Sequence, residues 1–179
     1  MTENPDIPHG SSAIIDSSVL FAIGAPDNEK YQAFQQFVTQ RELSVYIPTH
    51  VAEELGEAPD AYTFHRERLR AAQEAGWLER AEIDYENPTV SKVIDRTRKR
   101  MVNLSADDVS EDEIEKTDTV LAGLAYQHAN HPQAHVTVFV SDGIAEKAIR
   151  DVLSTMDVEN RVLVVEGRQF IQNLLDKQL

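Results

Sequence analysis

The chain has 179 residues, no cysteine and a formal net charge of −14, from 31 Asp and Glu against 17 Lys and Arg. That length suits one domain able to bury a full sheet-and-helix core. The missing thiols exclude disulfides, thiolate metal sites and a Cys nucleophile.

No apolar run approaches a bilayer span, so a membrane segment is not expected. The opening MTENPDIPHG has neither a basic n-region nor an apolar h-region. Residues 1–10 therefore read as a flexible polar tail rather than a signal peptide, residues 11–179 as a single domain, and the location as cytoplasmic.

Lys supplies only six of the 17 basic residues. So acidic a surface repels nucleic acid at low salt and keeps a protein dispersed at high salt. A host with molar internal salt explains it, because there charge is screened within ~3 Å. An acidic face for a protein partner explains it as well, and composition does not separate the two. The basic residues are uneven: nine of the 17 fall between Arg66 and Arg100, with seven acidic residues among them. On a helix Arg96 and Arg100 share a face, with Lys99 beside them. The ordinary reading is a solvated face; in so acidic a chain the ridge is also a phosphate-contact candidate.

In chain order, Ala13-Ile-Ile15 is a short apolar run that fits a strand buried on both faces, and it runs straight into Asp16. Asp27–Gln40 is a helix with Tyr31, Phe34, Phe37 and Val38 at helical spacing. Ser44–Ile47 is a second strand, closed by Pro48, and Thr49–Gly56 a helix on Val51 and Leu55. Ala61–Ala75 is a charged helix, and Trp77–Ile83 alternates like an edge strand. Asn87-Pro88 is a cap with a first-turn proline opening a helix through Val90, Val93, Ile94 and Met101. After a polar loop, Ser110–Glu113 is a capping box for a helix carrying Val120, Leu121, Leu124 and Ala125. Val136–Val140 and Arg161–Val165 are strands, separated by a helix through Ile144, Ala148 and Leu153. A closing helix runs from Gly167. Strands alternating with helices predict an α/β fold, a three-layer α/β/α sandwich with a central, mostly parallel five-stranded sheet. Residues 59–112 form a helical, locally basic insertion in it.

In such a sheet every strand ends at one rim and the following helix starts there. Asp16 follows strand one directly, and Asp142 follows strand four with one residue between. Glu53 and Glu54 come early in the helix after strand two. Asp118 lies about two turns into the helix before strand four, still able to face the upper rim, with Leu121 and Ala125 placing it toward the buried side. Glu115, a turn earlier, is a possible accessory or a plain solvated Glu. Converging carboxylates repel unless a cation joins them. Oxygen ligands without Cys select hard ions, Mg²⁺ or Mn²⁺. His128, His131 and His135 suggest zinc, but they belong to the opposite rim, where a helix C-terminus favours His.

Asp16 in I-I-D-S-S, Glu54 in I-P-T-H-V-A-E-E-L, Asp118 in T-D-T-V-L-A-G-L-A and Asp142 in V-F-V-S-D-G together resemble the PIN domain, in order and spacing. Among Glu53 and Glu54, the second is chosen because the family's Glu precedes a large aliphatic, here Leu55. The resemblance implies a small α/β nuclease of the kind found in VapC-type toxins. It implies Asp16, Glu54, Asp118 and Asp142 as catalytic ligands of Mg²⁺ or Mn²⁺, with Ser17 and Ser141 as hydroxyls that orient them. The implied activity is endoribonuclease cleavage, with single-stranded RNA ahead of duplex. The implied partners are an antitoxin protein and a second copy of the chain, and Arg96, Lys99 and Arg100 are the RNA-contact candidates. A non-catalytic PIN-like module with an acidic partner-binding face is the alternative.

Overall fold

A computed structural model describes residues 3–56, 63–105 and 116–177. Five strands form one sheet: β1 (Ser12–Ile15), β2 (Ser44–Pro48), β3 (Leu78–Ala81), β4 (Val136–Val140) and β5 (Val162–Glu166), in spatial order β3-β2-β1-β4-β5. Every pairing is parallel. Among the described residues eight helices connect and flank them: α1 (Ser17–Ile23), α2 (Glu29–Gln40), α3 (Thr49–Gly56), α4 (Thr63–Glu74), α5 (Pro88–Leu104), α6 (Lys116–Ala129), α7 (Gly143–Ser154) and α8 (Gly167–Lys177). The expected three-layer α/β/α architecture is present.

The layers follow from alternation along the strands. Ala13 and Ile15 of β1 face one core with Val45, Ile47 and Phe139, while Ile14 faces the other with Val136, Val138 and Val140. Helices α1 to α4 and α8 contribute to the first core, through residues such as Leu20, Phe34, Val51, Leu69 and Phe170. Helices α5 to α7 contribute to the second, through Val93, Leu121, Ala125, Ile149 and Val152. From β1 the chain steps outward to β2 and β3, then returns to lay β4 on the other side of β1. That reversal makes the carboxyl ends of β1 and β4 the switch point, where open α/β sheets take their ligands.

Three local features differ from the sequence expectation. A helix, α1, fills the stretch after Asp16; its seven residues between Asp16 and Gly24 are too few to show a helical period. Gly24, at φ 81°, ends it in a conformation that side-chain-bearing residues resist. Second, the segment expected to be a loose tail is held down. Ile7 is buried, Asn4 donates to the Phe170 carbonyl at 3.1 Å, and Arg41 donates to the Ile7 carbonyl at 3.3 Å. One apolar residue buried in the first core, with hydrogen bonds to Phe170 and Arg41, is enough to order residues 3–10. Third, β5 extends one residue further, to Glu166. The Ser110 capping box and Glu115 lie outside the described residues, and α6 is described from Lys116.

The surface charge has a direct consequence for stability. Like charges on a −14 chain repel over a Debye length that falls from ~10 Å at 0.1 M salt to ~3 Å at 1 M. Thermal melts in increasing KCl will show a Tm that climbs continuously into the molar range. A Tm independent of KCl would mean that the acidic residues are spaced widely enough to be harmless.

Candidate active site

Asp16, Ser141 and Thr49 stand at the ends of three adjacent strands, β1, β4 and β2. Asp16 is only 8% exposed. It is the N-cap of α1: its Oδ1 accepts from the Val19 N–H at 3.3 Å and from the Ser18 hydroxyl. Burial pushes its carboxyl pKa up, and the Ser18 hydroxyl followed by the N–H groups of Val19, Ser18 and Asp16 pulls part of the way back. The carboxylate is therefore desolvated and steadied by dipoles, which leaves room for a full positive charge to stabilise it. The hydroxyl that reaches Asp16 belongs to Ser18, the second residue of α1, not to Ser17.

Two hydroxyls flank this carboxylate without partners. The Oγ of Ser141 and the Oγ1 of Thr49 are both buried with no hydrogen bond. Ser141 lies beside Gly167 at the start of α8, where a Cβ on the glycine would stand 3.6 Å from the Ser141 Oγ and 3.1 Å from Val19. Buried hydroxyls are nearly always satisfied, so two orphans beside a desolvated Asp mark a place where a ligand or its water shell completes the bonding. Ser141 was expected to orient a carboxylate; it is at the rim but bonds none. Thr49 was read only as a helix start.

The other acidic residues divide into two groups. Asp118, in the first turn of α6, is 9% exposed, as its spacing from Leu121 and Ala125 required. Helix α6 packs on β1, β2 and β4, with Leu121 and Ala125 in the second core, so Asp118 belongs to the helical layer on that face. Asp142 and Glu54 are exposed and otherwise engaged. Asp142 caps α7, its Oδ1 accepting from Ile144 N at 2.8 Å and Ala145 N at 3.2 Å. Glu54 sits one turn after His50 and pairs with its Nε2 at 3.2 Å; Glu53 is exposed too. Among the described residues no three His, Asp or Glu side chains stand grouped as metal ligands. Of the four expected carboxylates, Asp16 and Asp118 are thus buried and Glu54 and Asp142 exposed.

One carboxylate at this rim was missed. Glu166 ends β5, pairs in register with Val140, and accepts from the N–H groups of Arg168 and Gln169 as the cap of α8. By the same register Asp16 continues β1 level with Val140, two strands from Glu166. The signal was available in Val-Val-Glu-Gly, a strand running into a glycine at a helix start.

The basic ridge lies elsewhere. Arg96, Lys99 and Arg100 line a groove against α7 with Asn103 and Asp151. Arg100 spends its charge on Asp151, with bonds of 3.0 and 2.9 Å to one carboxylate oxygen. The histidines make no zinc site among the described residues; burial, then the neighbouring charge of His131, holds His128 below the ordinary range.

Capping and chemistry are separable at Asp142. Asp142→Asn keeps the cap and loses the charge, whereas Asp142→Ala loses both, at about 1 kcal/mol of stability. If Asp142 serves only α7, the Asn variant will match wild type in both Tm and any metal-dependent activity, and the Ala variant will fall in Tm alone.

A three-layer, all-parallel sheet with a buried Asp at its switch point and further acidic residues on the same rim defines an α/β protein of PIN type. A family model described as the halobacterial PIN domain matches residues 9–179, and the chain belongs to that family. PIN domains are generally nucleases and typically use divalent metal ions. No curated protein matches the chain. Among the described residues no helix is long and apolar enough to cross a membrane.

Proposed function

We propose that this protein is a divalent-metal-dependent endoribonuclease that cleaves single-stranded RNA, either in RNA processing or as the toxin of a toxin–antitoxin pair. The observation that carries the proposal is Asp16, desolvated at the switch point between two orphaned hydroxyls. Asp16 and Asp118 would hold Mg²⁺ or Mn²⁺. One or two protein carboxylates suffice for such an ion, which keeps several waters and takes the rest from substrate phosphate. When bound, it stabilises the charge developing on a phosphodiester and lowers the pKa of water.

The protein's own groups do the positioning. The Ser18 hydroxyl and the Val19 N–H fix Oδ1 of Asp16 in one orientation. The Thr49 and Ser141 hydroxyls can hold water or a phosphate oxygen on either side. A molar-salt setting lets RNA approach a surface that would repel it in dilute buffer.

The test is cleavage of an unstructured, end-labelled RNA in molar KCl with Mn²⁺, comparing wild type with Asp16→Asn. Cutting by wild type alone supports the reading; equal background from both overturns it. In that case the second reading takes over, a PIN-like module acting through a protein partner. Its support is an exposed aromatic cluster in which Phe21 of α1 lies 6.4 Å from Phe64 and 4.6 Å from His65 of α4, ring centre to ring centre.

A further inference from the structure

A cavity of about 320 Å³ is walled by His50 of α3, Tyr85, Ile94 and Arg98 of α5, and Thr119 and Val120 of α6. We propose that this cavity is the substrate-strand subsite of the nuclease: Tyr85 stacks a base of single-stranded RNA and Arg98 holds the adjoining phosphate. The proposal rests on the ribonuclease reading above and assigns its RNA contacts to residues other than the basic ridge.

Helix geometry separates the two sets. At 100° per residue, Arg96, Lys99, Arg100 and Asn103 follow the i, i+3, i+4, i+7 ridge that meets α7, while Ile94 and Arg98 form an i,i+4 pair on the opposite side. Arg98 is therefore the cation of this cluster that faces the cavity. It pairs with Asp95, at 3.3 Å and three residues away on the same helix, with the Asp 63% exposed. Such a surface pair is weak and readily exchanged for a phosphate. Across the cavity His50 bonds Glu54, so an acidic residue expected at the site lines up with the pocket through its histidine. His50 is the second residue of α3, directly after Thr49 at the carboxyl end of β2, which sets the His50 wall of the cavity at the rim of the sheet.

Tyr85 is 62% exposed, an unusual position for a large aromatic, yet its backbone is firmly placed. The Gln127 side chain bonds Asp84 N at 2.8 Å and the Glu82 carbonyl at 3.0 Å, and the Ser91 hydroxyl donates to the Tyr85 carbonyl at 3.1 Å. A ring offered to solvent from a pinned loop is a stacking platform prepared in advance. Aromatic stacking tolerates high salt, whereas a phosphate contact weakens with it. The two residues therefore supply complementary parts of RNA affinity in a salt-rich setting.

The test measures binding of a fluorescent single-stranded oligonucleotide by anisotropy over a range of KCl without divalent metal, and cleavage separately with Mn²⁺. Tyr85→Ala will weaken binding by about tenfold at every salt concentration. Arg98→Ala will weaken it at low KCl and less so at high, reducing the salt slope by about one, with Arg98→Lys recovering the slope. The double variant Arg96→Ala, Lys99→Ala will bind as wild type does. RNA binding that falls with the ridge variant and not with Tyr85 or Arg98 overturns the subsite. If wild type cleaves and neither cavity variant alters binding or KM, the subsite fails while the nuclease reading stands. If wild type neither binds nor cleaves, both fail.

Discussion

Asp16→Asn will lower metal-dependent RNA cleavage by about a thousandfold or more, on the scale of losing one preorganised electrostatic group at a reacting centre. The same substitution will raise the Tm of the metal-free protein near neutral pH. Asn caps a helix as well as Asp does, and its side-chain oxygen can still accept from Ser18 and Val19, so α1 is retained. What is lost is a buried negative charge.

The direction with pH follows from the raised pKa of Asp16. Below its ordinary value of 3.8 the carboxyl is neutral in folded and unfolded chains alike, and the two proteins differ little. As pH rises past that value the unfolded chain ionises first, which favours unfolding of wild type only. The advantage of the Asn variant therefore grows until Asp16 ionises in the folded state too, and is constant above that. Saturating Mn²⁺ will reverse the order, because an ion bound to wild type stabilises it by mass action and the variant cannot use it. Melting curves for both proteins across pH, with and without Mn²⁺, check all three statements. A metal-free Asn variant less stable than wild type at pH 7 would show that Asp16 is stabilised by something other than the dipoles around it.

Phe139→Ala will cost about 3–5 kcal/mol, lowering Tm by roughly 10 °C in a chain of this size. Phe139 is fully buried in β4, with its ring edge-on to Phe34 of α2 at 5.9 Å and to Phe170 of α8 at 4.9 Å. It thereby ties two helices to β4, the strand beside the central β1. Removing the ring leaves a void that three rigid elements cannot close together. Phe64→Ala, half-exposed on α4, will change stability by less than about 0.5 kcal/mol. Equilibrium unfolding in KCl-containing buffer compares them; equal effects from the two would contradict this account of the core. Since Phe139 lies two residues before Ser141, the core variant will also loosen the rim and weaken metal-dependent stabilisation.

Local signals carried much of the architecture. The β-branched and aromatic run Val136–Val140 became the fully buried β4, Asn87-Pro88 opened α5, and Thr49–Gly56 formed the predicted α3. Each depends on a short-range period or on a cap whose partners lie within four residues. Asp16 and Asp142 were likewise placed at the rim, the one directly after its strand and the other one residue beyond.

The packing of distant elements decided the rest. Strand order β3-β2-β1-β4-β5 selects which strand ends become neighbours, and no local pattern encodes that order. It set Thr49 and Ser141 on either side of Asp16 and brought Glu166 to the same edge. Helix rotation decided where the charged side chains point: it turned Glu54 toward His50, gave Asp16 the hydroxyl of Ser18, and put Arg98 against Thr119 and Val120 of α6 while Arg96 and Arg100 face α7. A charge in the sequence names only the chemistry available; its orientation is set by the burial of apolar neighbours on its own helix, because their burial free energy outweighs that of any exposed ion pair.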